Sequence, residues 1–268
     1  MVIKLWYVFK LVWIERMAYR VNFLLEILSG IVSSLIIVFL WLAIYRSSSR
    51  GIIGGYSIEE MVTYLIGGGL INTFILTTAE NPETSQSIHE GTLSNLLIKP
   101  ISPYVIWFAR DLGTKVFLFF VGLIGYTVVI FFFRKYLVFP SNSTYLVMFL
   151  ISILLAGLLQ FLVFEALSLL AFWVENTYGI RFTMRVIMEV VGGAIIPLSF
   201  FPSAIQKLFL MFPFHYFIYL PMKICLGKII LDQVYLEFLK EGGWIVALAL
   251  INVAIWRKGI RHYVAMGD

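Results

Sequence analysis

Few side chains in this chain could do chemistry, and they are scattered. Glu165 stands inside an apolar run, Gln160-Phe161-Leu162-Val163-Phe164-Glu165-Ala166. A carboxylate there could carry a proton, hold an ion or pair across an interface. Its place near the end of its run favours a partner contact or a wet helix end over substrate binding. The three histidines, His89, His215 and His262, share no metal-ligand spacing, so no metal site is expected. The single Cys225 rules out an intrachain disulfide. Leu226-Gly227-Lys228 lacks the upstream glycine of the phosphate cradle G-x-x-x-x-G-K-[ST], so no nucleotide is expected on this chain. Neither H-E-x-x-H nor G-x-S-x-G occurs. Asn142-Ser143-Thr144 matches a glycosylation acceptor, but so short a match arises by chance. The chain therefore reads as a non-enzyme without a cofactor of its own, and energy must come from another chain.

The elements that would position these residues are membrane helices. With 61% hydrophobic and only 13% charged residues, the chain could not cover a soluble surface, since soluble domains carry about 25% charged residues. The apolar residues come in continuous runs rather than dyads, which favours helices over a barrel. Six spans fit the length a bilayer needs: Phe23–Tyr45, Met61–Ala79, Gly113–Phe133, Tyr145–Trp173, Val186–Phe201 and Trp244–Trp256. The fourth is long enough to extend into solvent, and the last starts early or is short. Before them, residues 1–22 mix Lys4, Lys10, Arg16 and Arg20 with Trp6, Phe9, Trp13 and Met17 at helical spacing, as in a helix lying in the headgroup plane. The net charge of +5 follows from basic membrane flanks and gives no soluble basic face for nucleic acid.

Basic residues set the orientation. The N-terminal cluster, Lys99, Arg110, Lys115, Arg181, Arg185 and the C-terminal Arg257, Lys258 and Arg261 fall on one side, which places both termini in the cytoplasm. Two connections are unusual. Residues 80–112 carry a polar, Pro-terminated insert, Glu90-Gly91-Thr92-Leu93-Ser94-Asn95-Leu96-Leu97-Ile98-Lys99-Pro100, which something outside the bilayer must read. Residues 202–243 are too apolar for an exposed loop and too broken by Pro202, Pro213, Pro221 and Gly227 for a span. Short re-entrant helices satisfy both constraints. Span two carries Gly67-Gly68-Gly69, Asn72, Thr73, Thr77 and Thr78, which suit either a subunit seam facing a cavity or close packing within the chain. Glu26, Glu175 and Glu189 read as interfacial partners of Arg20, Arg181 and Arg185.

The whole chain resembles the ABC-2 type permeases, membrane subunits of ATP-binding cassette transporters, and is closest to the branch with paired permeases. The resemblance rests on the N-terminal helix, six spans, Gly91-x-Leu93-x-x-x-Leu97-x-x-Pro100, and Gly192-Gly193-Ala194-Ile195-Ile196-Pro197-Leu198-Ser199-Phe200-Phe201-Pro202 followed by Pro213-Phe214 and Pro221. It implies an all-α polytopic fold in one transmembrane domain, residues 1–268. It also implies a coupling helix at about Pro82–Leu97, in which Ile88, Leu93, Leu96 and Leu97 anchor an ATPase subunit while Glu83, His89 and Glu90 line the rim. ATP and Mg would sit on that partner. The broken segment would form an outer gate, with Pro197, Phe200, Phe201, Pro202, Phe212, Pro213, Phe214 and Pro221. A second permease, identical or homologous, and membrane lipid complete the expected partners. The resemblance implies export across a plasma membrane, as in a prokaryote. A path lined by Phe, Trp and Thr would suit an amphipathic drug, lipid-linked molecule or peptide. Asn72, Thr73, Thr77 and Glu165 are the candidates for that path or seam. Two other readings stay open: an ion-coupled secondary transporter using Glu165, and a structural protein that only anchors a partner.

Overall fold

The computed structural model describes residues 2–18, 20–48, 51–140 and 142–263. Met1 and Tyr19 of the N-terminal segment lie outside that range, as do the side chains of Lys4, Arg20 and Glu26. The described chain is helical, apart from a tiny hairpin of β1 (Ile52–Ile53) and β2 (Tyr56–Ser57). Gly54 and Gly55 turn it with φ of +59° and +86°, a backbone that glycine adopts without strain. Ser57 then starts the next helix through a capping box with Glu60, each side chain accepting from the other's backbone N–H.

Five described helical stretches are long and apolar enough to cross a bilayer. They are built on α2 (Arg20–Ser47), α3 (Ile58–Ile75), α6 (Pro103–Phe133), α7 (Ser143–Ser168) and α11 (Leu231–Gly259). The protein is thus an all-α, multi-pass membrane protein. α6 starts ten residues before the expected span, with Pro103 just inside its first turn. Asn142 caps α7 by accepting from the Thr144 N–H at 3.0 Å, so the Asn-Ser-Thr triplet already has a local role as a helix start. α11 begins at Leu231 and takes in the end of the connection assigned to 202–243.

The expected fifth span is not one helix. α8 (Tyr178–Val191) has 14 residues, about 21 Å at about 1.5 Å each, short of a hydrocarbon core of about 30 Å. It ends where Gly193 turns left-handed at φ +81°. The Gly193 and Ala194 N–H groups close back onto the Val190 and Glu189 carbonyls, a Schellman stop. Only short pieces follow: a 3-10 turn at Leu198–Phe200, α9 (Ser203–Leu210), a second 3-10 turn at Pro213–Tyr216, and α10 (Tyr219–Cys225).

Those pieces hold the centre of the molecule. Phe217, Ile218 and Ile224 are fully buried with Met61, Tyr64 and Ile75 of α3 and Leu159 of α7. Tyr64 donates to the Gly193 carbonyl at 2.6 Å, fastening the α8 stop to α3. At the N terminus, α1 (Val2–Ala18) buries Val12 and sets Trp13 edge-on to Phe117 of α6, 5.3 Å between ring centres. Trp6, Leu11, Ile14 and Met17 remain exposed. The helix is therefore apolar on two sides, one packed on α6 and the other left for lipid.

Candidate functional site

The polar insert folds as a helical hairpin rather than one helix. α4 (Glu83–His89) and α5 (Leu93–Leu97) flank Glu90-Gly91-Thr92, where Gly91 turns at φ +73°. Asn81 starts α4, its side-chain oxygen accepting from the Glu83 N–H at 3.2 Å.

Four ties bind this hairpin to the rest of the chain. The Arg110 guanidinium of α6 lies 2.6 Å from the Glu83 carboxylate and 2.8 Å from that of Glu15, so one cation joins α4, α6 and α1. Thr84 donates to Glu165 of α7 at 3.0 Å. Arg181 of α8, only 1% exposed, donates to the Asn81 carbonyl. Tyr263, beyond α11, donates to the Gly91 carbonyl and accepts from the Ser94 N–H at 3.0 Å. Half-exposed ion pairs add little stability singly, but here they fix where a short element sits. Sequence reasoning missed Glu15, Thr84, Arg110, Arg181 and Tyr263 as members of this site. Arg110, a cation early in an apolar helix, is the one it could have flagged.

The expected anchors divide. Ile88 and Leu93 are buried in a second core with Trp107, Phe161, Leu169 and Ala171, so they hold the hairpin in place rather than offer a docking face. Leu96 packs partly against the same cluster. The apolar groups left outward are Leu97 and, missed from sequence, Ile98 at 82% exposure. Pro82 and Glu90 are exposed and His89 half-buried, and Glu90 accepts from Gln86. A 400 Å³ hollow lies beside them, lined by Glu83, Gln86, Glu90, Asn95 and Leu96.

Glu165 is not a wet end. It is 5% exposed and held under α4 by Thr84. It does not join Asn72, Thr73 and Thr77, which line a separate groove of about 530 Å³ between α2, α3 and α6. Ser29, Ser33 and Ser34 face them across it, and Gly30, Gly69, Gly122 and Gly125 open the space. Among the described residues that line this groove, Tyr126 is the one aromatic, and Thr73 and Thr77 supply hydroxyls beside it.

A family model described as ABC-2 family transporter protein matches residues 11–267. The chain belongs to that family. No curated protein matches the sequence. An ABC-2 transporter protein of this kind is the membrane subunit of an ABC transporter, whose ATPase is a partner.

Within this ABC-2 protein the Pro- and Phe-rich residues of 197–221 fall into two groups. Pro197, Pro213 and Pro221 are buried, and Phe214 is half-buried against Phe217. Phe200 packs edge-on to Trp41 of α2 at 5.1 Å and over Tyr56 at 6.2 Å, and Phe201 meets Phe209 at 5.2 Å. Pro202 and Phe212 are exposed, as is most of α9. Leu226-Gly227-Lys228 is a helix stop: the Lys228 N–H closes onto the Lys223 carbonyl at 2.9 Å, and its ammonium pairs with Glu60 at 2.8 Å. Arg185 pairs with Glu189 as expected, whereas Arg181 takes the Asn81 carbonyl instead.

Proposed function

We propose that this ABC-2 protein uses ATP hydrolysed by its partner to export an amphipathic substrate, with the α4–α5 hairpin as the docking element. The observation that carries this is the set of ties on the hairpin. An element of this size, joined to α1, α6, α7, α8 and the segment after α11, would pass a push from outside to most of the bundle. Leu97 and Ile98 give a partner something apolar to grip. The twofold attachment of Arg110 would carry that push to α1 as well as to α6.

In this reading a second permease, identical or homologous, faces the groove of Ser33, Ser34, Asn72, Thr73 and Thr77. The substrate's polar part would lie there. The segment with Phe200, Phe201, Phe212 and Phe214 would close the outer end, and both termini would be cytoplasmic. The chain itself would bind neither ATP nor metal.

The test is co-purification from the native membrane in mild detergent, comparing wild type with Leu97→Asp/Ile98→Asp. The expected result is an ATP-hydrolysing subunit retained by wild type and lost from the double variant, with unchanged thermal unfolding of the permease. Retention by the double variant would remove the hairpin tip as the docking face.

A further inference from the structure

A cluster of unexplained polar groups lies directly beneath the hairpin. Trp107 of α6, Gln160 and Glu165 of α7 are 3%, 1% and 5% exposed. Each has an atom with no protein partner: the indole Nε1, the amide Nε2 and the carboxylate Oε1. All three line one small cavity of about 30 Å³, and Thr84, Asp111 and Ser168 also contribute to its wall. Buried donors and acceptors left unpaired are costly, so three around one hollow call for a common occupant. A water needs about 10–15 Å³ measured in this way, and buried waters make about three hydrogen bonds.

We propose that this cavity is a water-binding site joining α6 to α7 under α4. A water there accepts from the Trp107 indole N–H and the Gln160 amide, and donates to Glu165 Oε1. Its remaining hydrogen faces the Asp111 and Ser168 side of the wall. A metal or sodium ion does not fit the same groups, because the indole N–H can only donate and would be turned toward a cation. Of the charges nearby, Asp111 pairs with Lys115 and Glu83 with Arg110, while Arg181 donates to the Asn81 carbonyl. Glu83 and Trp107 also border the 400 Å³ hollow outside, so the two spaces adjoin. The site completes the grip on Glu165, with Thr84 on one oxygen and water on the other. This inference holds whether or not the hairpin docks an ATPase.

Hydroxyl-radical footprinting of the full chain in lipid nanodiscs, with irradiation in ¹⁸O-labelled water, tests it. Bound water marks neighbouring rings even when they are buried. Phe164 borders this cavity and not the outer hollow, so it is the reporter, read against the fully buried Tyr64 and Phe217. After correction for intrinsic ring reactivity, Phe164 and Trp107 should be labelled several-fold faster than Tyr64 and Phe217. In Gln160→Leu that excess should fall several-fold while Tyr64 stays protected. Protection of Phe164 equal to that of Phe217 in wild type would overturn the proposal. So would an unchanged excess in a folded Gln160→Leu variant.

Discussion

At the scale of single residues, Thr84 and Cys225 make separate predictions. Thr84→Val removes the donor on Glu165 Oε2 and leaves a buried carboxylate oxygen unpaired, at a cost of about 1–3 kcal/mol. The variant should unfold at a lower temperature in detergent, and Thr84→Ser should restore wild-type behaviour. Equal stability of all three would show that Glu165 does not depend on α4. For Cys225, burial pushes the thiol up to about 11, so thiolate is scarce at neutral pH. Its alkylation by a maleimide should speed up about tenfold per pH unit from about pH 7 to about pH 10. A plateau near the ordinary thiol range would mean the sulfur is wetter than its surroundings indicate.

At the scale of elements, the stop after α8 is the most demanding turn. Gly193 at φ +81° sits where an added Cβ would come 2.7 Å from the Tyr64 hydroxyl and 3.1 Å from Tyr219. Gly193→Ala should therefore lose more than the about 1–2 kcal/mol of the left-handed backbone alone, read as reduced yield and a lower unfolding temperature. The long helices were legible in the sequence because length and apolarity suffice to specify them. The break at Gly192-Gly193 was less so, since apolar residues continue on both sides and only hydrogen-bond closure shows which glycine ends the helix. The roles of Ile88 and Leu93 could not be read at all. An apolar residue on a short helix looks the same whether its partner is another subunit or, as here, Phe161, Leu169 and Ala171 of the same chain. Likewise Tyr263, after the last helix, gave no sign that it reaches back to Gly91.

At the scale of the whole molecule, burial is uneven. The α3 stretch is two-thirds buried (67%), whereas α2 and α11 are 28% and 11% buried, leaving long apolar faces for lipid or another subunit. If a second copy covers the hydroxyl-lined groove, Ser33→Cys in a Cys225→Ala background should form disulfide-linked dimers under mild oxidation. Monomers alone would place any permease partner elsewhere or make it a different chain. The position of the core within the chain has a further consequence, for biogenesis. Phe217, Ile218 and Ile224, which fill the centre, are made after α2, α3, α6 and α7 have already left the ribosome. During synthesis those helices must wait in the lipid with their inner faces unmatched. Assembly is then governed by the arrival of a short, proline-interrupted stretch near the end of translation, and a chain stopped before residue 213 would reach the membrane yet remain a target for proteolytic quality control.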